Sequence, residues 1–138
     1  MHDPAAGRRI INCAVSEPIN PTPLEGTEWE LVELDGDPVV LGEGESRPYL
    51  VLDPDGPHLS GSGGCNRLLG RFECVDDALR FTPVGTTRMA CSAEVMRREA
   101  TFLDALAATM RFELEGPSLV LLAEDRAVAR LEASAPTS

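Results

Sequence analysis

Residues 61–70 read GSGGCNRLLG, a run in which three glycines precede a cysteine and an asparagine. Gly61, Gly63 and Gly64 free the backbone to take positive φ or to pass close to another segment. A phosphate-binding loop would continue into a Lys-Ser or Lys-Thr pair and a helix, and this run does neither. We therefore predict a tight bend or bulge here, capped by the amide of Asn66.

On both sides of this bend, alternating apolar and polar residues predict about eight short strands. Trp29 and Leu31, for example, alternate with two glutamates. The run Tyr49–Leu52 is apolar throughout, which predicts a strand buried on both faces. The predicted strands cover residues 27–34, 49–52, 58–60, 68–75, 79–84, 110–115, 119–122 and 127–131.

A single helix is predicted over about residues 93–109. Ser92 is a good N-cap, and Glu94 lies in the first turn, where the helix dipole favours a carboxylate. Apolar residues recur with helical spacing from Val95 to Met110. Short connections between the strands favour antiparallel pairing. The predicted fold class is α+β: a curved or barrel-like, mostly antiparallel sheet with one helix packed on it.

The domain organisation follows from where these patterns begin and end. Residues 1–23 contain four prolines and no periodic apolar pattern, so we predict a disordered leader or spacer. Residues 24–132 are predicted to form one domain, followed by a disordered tail at 133–138. Residues 10–13 (IINC) resemble the end of a lipoprotein signal, although asparagine replaces the usual small residue before the cysteine. Cys13 is therefore a candidate lipidation site, with a stray thiol in a disordered tail as the alternative.

The charge balance is strongly acidic, with 23 acidic and 12 basic residues and a formal net charge of −11. An acidic surface repels phosphate groups, which argues against nucleic acid and anionic membranes as partners and leaves cationic partners open. No apolar run is long enough for a transmembrane segment. Residues 1–11 lack the apolar core of a signal peptide.

Two segments resemble the META domain, the small mostly-β module of heat-inducible bacterial lipoproteins of the HslJ type. One is the Gly-Cys-Asn-Arg of residues 64–67, with a glycine four residues after the asparagine. The other is the Thr-Arg-Met-x-Cys of residues 87–91, followed by a glutamate and an apolar helix. The paired motifs are specific, and the resemblance covers about residues 24–132. The motif residues are Trp29, Gly61, Gly64, Asn66, Arg67, Gly70, Thr87, Arg88, Met89 and Glu99.

The resemblance implies a disulfide between Cys65 and Cys91, since one lies in each motif. The bridge would close a loop of 27 residues and stabilise the fold by about 3.5 kcal/mol in the chain-entropy model. Four cysteines allow three complete pairings, and Cys74 with Cys65 is the main rival. Cys74 shares a strand face with Phe72, which predicts a buried, unreactive thiol.

Glu99 lies on the apolar face of the predicted helix. A carboxylate there must be paired, hydrogen-bonded or protonated, and Arg88 of the second motif is the natural partner. Two interpretations stay open. The pair is either a buried anchor that ties the helix to the loop of residues 86–88 or a charge pair at the mouth of a ligand pocket.

Patterns typical of catalysis and metal binding are missing from the sequence. The spacings of Cys65, Cys74 and Cys91 do not fit a zinc site, and the sequence has no Cys-x-x-Cys. His58 is the only histidine in the predicted domain, and no Gly-x-Ser-x-Gly elbow is present. We therefore predict no enzyme activity, no catalytic residues, no metal and no cofactor.

Three functions are compatible with the sequence. The leading one is an extracytoplasmic, non-enzymatic module for binding or stress tolerance, whose partner is an unknown protein or small molecule. Its stress link and cell-envelope location are implied by the resemblance alone. The alternatives are a small-ligand carrier with a cavity between sheet and helix, and a cytosolic thiol redox switch built on Cys65 and Cys91. The switch fits the lack of a visible signal peptide, and a monomer is the simplest expectation for all three.

Overall fold

The computed structural model describes residues 12–13, 24–53, 55–82, 85–87 and 90–134. They form one helix and eleven strands. The helix, α1, spans Ala93–Ala108. The strands are β1 (Asn12–Cys13), β2 (Glu28–Leu34), β3 (Asp37–Pro38), β4 (Tyr49–Leu52), β5 (His58–Ser62), β6 (Arg67–Asp76), β7 (Ala78–Phe81), β8 (Gly85–Thr86), β9 (Arg111–Glu115), β10 (Ser118–Ala123) and β11 (Arg126–Ala133).

The sheet is ring-like. Its strands follow the order β6-β5-β4-β2-β11-β10-β9-β7, and β7 also pairs with β6, which joins the two ends of the series. The short strands β3 and β8 pair with β2 and β6. All pairings are antiparallel except that of β1, which runs parallel to β6. The predicted α+β class, with a curved, mostly antiparallel sheet and one helix, is confirmed.

The eight predicted strands correspond to the eight longer ones, and the three additional strands have two residues each. One detail of the prediction is wrong. In β4 the residues alternate, with Leu50 and Leu52 buried and Tyr49 and Val51 half-buried. An apolar run therefore does not require burial on both faces, because one face of this strand lies partly at the surface. β1 falls within the segment predicted to be a disordered leader.

The core lies inside the ring, where the inward residues of the strands meet the apolar face of α1. Trp29 is fully buried, and its indole Nε1 donates a hydrogen bond of 2.9 Å to the carbonyl oxygen of Leu24. The buried core includes Leu31, Leu50, Leu59, Leu68, Phe72, Leu79, Leu119, Leu121 and Leu131 from the strands, with Phe102 and Leu106 from the helix. Burying a large apolar side chain stabilises by about 1.5–3 kcal/mol, so these residues supply most of the driving force.

Helix α1 begins and ends where its sequence signals place it. The Ser92 hydroxyl accepts a hydrogen bond of 3.2 Å from the backbone N–H of Val95, as expected of an N-cap. At the other end, the hydroxyl of Thr109 donates to the Ala105 carbonyl at 2.8 Å. The helix buries Phe102, Ala105 and Leu106 against the sheet. It is 16 residues long, and no helix in the described part of the chain has the length and apolarity needed to cross a bilayer.

Candidate functional site

The structure joins Cys65 to Cys91, the pairing that the resemblance implies. Cys65 lies in the bend between β5 and β6, and Cys91 lies two residues before α1. Their Cα atoms are 6.2 Å apart, a separation that a disulfide can span. The bridge therefore fastens the start of the helix to the glycine-rich bend.

Cys74 is fully buried, as predicted, but it is also disulfide-bonded, so the prediction of an inert thiol is wrong. The rival pairing with Cys65 does not occur, because Cys65 is bonded to Cys91. The prediction for Cys74 was wrong because strand periodicity reports burial but not disulfide pairing. Strand periodicity places Cys74 on the inner face of β6 but carries no information about a distant cysteine.

The carboxylate of Glu99 is held by Asn66. Both residues are only 5% exposed. One carboxylate oxygen, Oε2, accepts the backbone N–H of Asn66 at 3.0 Å, and the other, Oε1, accepts its side-chain amide at 2.9 Å. Each oxygen thus receives a donor, which compensates the cost of burying a carboxylate. Arg88, the predicted partner of Glu99, lies outside the described residues, as does Met89.

Thr87 extends this network toward the second motif. Its hydroxyl donates to the Asn66 side-chain oxygen at 2.9 Å and accepts the backbone N–H of Arg67 at 3.0 Å. The pairing of β6 with β8 runs alongside. Glu99, Asn66 and Thr87 therefore connect the helix to both motif segments. The Arg67 side chain is exposed.

The glycines of the first motif are required by close contacts. A side chain at Gly63 would collide with the Glu99 carboxylate, and one at Gly61 would collide with the carbonyl oxygen of Tyr49. Gly64 has a φ of 107°, which glycine adopts without strain. The bend is closed by backbone hydrogen bonding from Gly63 to Asn66 at 2.9 Å. Gly70, by contrast, lies within β6 opposite Leu59.

Two shallow clefts flank the motif network, and both open to the surface. One, of about 400 Å³, has Asn66 and Glu99 at its polar side and Met96 and Leu103 among its apolar lining. The other, of about 370 Å³, is lined by Arg47, Arg67 and Tyr49. The carboxylate of Glu99 already accepts two hydrogen bonds from Asn66, so the described residues give these clefts polar rims without an unpaired buried charge.

A larger cleft lies where residues 39–45, which we call the strap, pass over helix α1. Arg98 donates to the strap twice, to the Val40 carbonyl and to Glu45 Oε1, both at 3.2 Å. The backbone N–H of Gly42 also donates to Glu45 Oε1, at 3.0 Å. These hydrogen bonds, from Gly42 first and then Arg98, lower the pKa of Glu45 from the ordinary value of 4.5. Sequence reasoning missed this cleft, because Arg98 and Glu45 are 53 residues apart.

No cluster of three or more histidine, cysteine, aspartate or glutamate side chains that could hold a metal ion is found in the described part of the chain. His58 lies exposed at the start of β5.

The fold and the paired motifs define a class of small α+β domain, a ring-like sheet with one helix fastened to a glycine-rich bend. Residues 22–135 match the model of the META domain, and the chain belongs to that family. The META domain is a family of unknown function. No curated protein matches the chain.

Solved structures show the same fold. An NMR structure of a protein from Burkholderia xenovorans is 27% identical, with a TM-score of 0.63, and the match covers 89% of this chain and 97% of that one. A second NMR structure is 20% identical, with a TM-score of 0.63, over 80% and 92% of the two chains. A crystal structure of a DUF4847 family protein from Bacteroides vulgatus is 14% identical, with a TM-score of 0.55, over 83% and 96%.

Proposed function

We propose that this protein is a non-enzymatic binding module of an extracytoplasmic compartment, stapled by the Cys65–Cys91 disulfide. The observation that carries the proposal is how the motif residues are used. Cys65, Asn66 and Glu99 are all committed to covalent or hydrogen-bonded contacts that fasten α1 to the bend. Side chains that are already used in structural contacts fit a scaffold better than a catalytic site.

The compartment is argued from the disulfide. Structural disulfides persist in secreted, periplasmic and surface proteins and are rare in the cytosol. Cys91 is exposed and Cys65 half-buried, so a reducing compartment would have access to the bridge. Membership of a family that includes heat-inducible lipoproteins adds the stress-tolerance role.

The test is non-reducing peptide mapping by mass spectrometry on protein taken from its native cell. A Cys65–Cys91 bridge in most molecules is the expected result. Free thiols at both positions would overturn the extracytoplasmic assignment. The Cys65→Ser/Cys91→Ser variant, processed in parallel, shows which cross-linked peptides arise during handling.

A cytosolic thiol switch is the second candidate, and one observation favours it. Cys91 is exposed just ahead of the N-terminus of α1, where the helix dipole stabilises a thiolate. Two glutathione thiols would reduce the bridge to two cysteine thiols and release glutathione disulfide. A redox titration with glutathione distinguishes the two candidates. If the Cys65–Cys91 bridge is half reduced at a cytosolic glutathione potential, about −220 to −320 mV, the result supports the switch. If the bridge stays oxidised throughout that range, the result supports a structural disulfide.

A further inference from the structure

The cleft beneath the strap has a volume of about 620 Å³ and is larger than the two clefts beside the motif network. Ligand sites commonly have volumes of about 300–1,000 Å³. Its strap side is apolar, with Val39, Val40 and Leu41, and Val40 is 75% exposed. Its helix side runs from Glu94 to Thr101. At about 1.5 Å per residue, these seven steps make a trough about 10 Å long.

The charge of the cleft favours a cationic ligand. Four carboxylates and two guanidinium groups line it, which gives a formal charge of −2. Two of these carboxylates are already in ion pairs, Glu45 with Arg98 and Asp35 with Arg126, which leaves Asp37 and Glu94 against the guanidinium of Arg97. The whole chain is acidic as well, with a net charge of −11. An anionic ligand would be repelled, whereas a basic one would be attracted over the range of a Debye length.

A hydrogen-bond donor in the cleft wall lacks an acceptor. Arg98 Nη1 is buried and has no hydrogen-bond partner in the described part of the chain. A buried donor without an acceptor is costly and is normally completed by a ligand, a water or an ion. Because Glu45 already neutralises Arg98, a neutral acceptor such as a peptide carbonyl is sufficient. Because Nη1 is buried, an acceptor can reach it only if the strap moves outward.

We propose that this cleft binds a short extended segment of a basic partner polypeptide. An extended chain advances about 3.3 Å per residue, so three residues fill the trough. An apolar side chain of the segment packs on Val40, a backbone carbonyl accepts from Arg98 Nη1, and flanking basic side chains face the carboxylates at the rim. This inference rests on the binding function proposed above and adds the chemistry of the partner.

The experiment uses the full chain, labelled with ¹⁵N, and a capped pentapeptide with lysine at each end and valine, alanine and valine between. Weak binding is expected, with Kd on the order of 0.1–1 mM for so small a contact. Amide shifts should concentrate on the strap and on the first two turns of α1. The matched control peptide has glutamate in place of both lysines, and it should bind at least tenfold more weakly.

Variants of the protein test the two contacts. Arg98→Lys keeps a cation beside Glu45 but removes Nη1, so affinity should fall by about tenfold. Val40→Ser changes an exposed side chain of the strap and should reduce affinity by about fivefold. Leu69→Ser, at a position 58% exposed on β6, is the matched control and should leave affinity unchanged. Should Arg98→Lys disturb the fold, Val40→Ser still tests the proposal.

Three results would overturn the inference. The first is that the acidic peptide binds as tightly as the basic one. The second is that the amide shifts are confined to surfaces outside the cleft. The third is that lysine amide alone binds as tightly as the pentapeptide, which would make the cleft a simple cation site. Peptide mapping distinguishes this failure from that of the proposed function. A Cys65–Cys91 bridge without peptide binding rejects the inference alone, and free thiols with peptide binding reject the extracytoplasmic assignment alone.

Discussion

Arg98 and Glu99 are consecutive residues of α1, yet they anchor the helix to two different regions in different ways. Glu99 binds the glycine-rich bend, where both of its carboxylate oxygens receive donors and a disulfide lies next to Asn66. Arg98 binds the strap, a half-exposed segment, and its Nη1 has no acceptor among the residues that the structure describes. The first anchor is complete and cross-linked, and the second has an unmet hydrogen bond and an open cleft beside it.

The difference indicates where stability and function lie in this domain. The residues that carry the family motif fasten the fold, so they are poor candidates for contacts with a partner. The strap belongs to neither motif, and its groups are only partly committed to the fold. Loops held on a rigid scaffold are where binding residues concentrate, which makes the strap the better place to look for a partner.

The largest expected effect comes from removing the first anchor. Glu99→Ala removes the acceptor of two buried hydrogen bonds from Asn66, and each loss costs about 1–3 kcal/mol, so the free energy of unfolding should fall by roughly 2–6 kcal/mol. Urea unfolding followed by circular dichroism measures it. Asp104→Ala, which removes an exposed carboxylate from the same helix, is the matched control. A loss below about 1 kcal/mol would mean that the network contributes little.

The disulfide should contribute nearly as much. Its cysteines are 26 positions apart, and in the chain-entropy model their bridge stabilises by about 3.5 kcal/mol. Cys65→Ser/Cys91→Ser should therefore lower the unfolding free energy by about that amount and steepen the urea dependence, because the unfolded chain expands. Both proteins are compared without reductant, which leaves the bond of Cys74 intact. An unchanged urea midpoint would show that hydrogen bonding alone fastens the bend.

The smallest effect is expected at the second anchor and depends on pH. The pKa of Glu45 is lowered in the folded protein by the Gly42 N–H and by Arg98. The ionised carboxylate therefore stabilises the fold at neutral pH, and this contribution should be lost as the pH falls below about 4.5 toward the lower folded-state pKa. The stability difference between wild type and Glu45→Gln, followed from pH 7 downward, measures this loss.

Glu43→Gln, at an exposed position of the strap, controls for the removal of a carboxylate from an acidic protein. A wild-type advantage over Glu45→Gln that stays constant down to pH 3 would contradict the assignment. It would mean that the strap is held by the backbone contacts alone and that the two anchors differ less than the structure indicates.

The sequence by itself determined the elements of this fold. Ser92 and the helical spacing after it placed α1 to within one residue at its end, and period-two alternation, with a continuous apolar run for β4, placed the eight longer strands. These signals are local, because a cap and a periodic face depend on neighbours within a few residues. The motifs also identified the family, and through it the partners of the Cys65–Cys91 bridge.

Only the tertiary structure decided which contacts those elements make with one another. Three contacts join residues far apart in the chain. They are the pairing of β7 that closes the ring, the hydrogen bond from Asn66 to Glu99, and the ion pair between Arg98 and Glu45. No local pattern encodes such contacts, since they form only when packing brings the segments together. The strap and its cleft were likewise decided by the tertiary structure. The physical reason is that the cleft forms where two segments far apart in the sequence pack together, and neither segment carries a local pattern that predicts the contact.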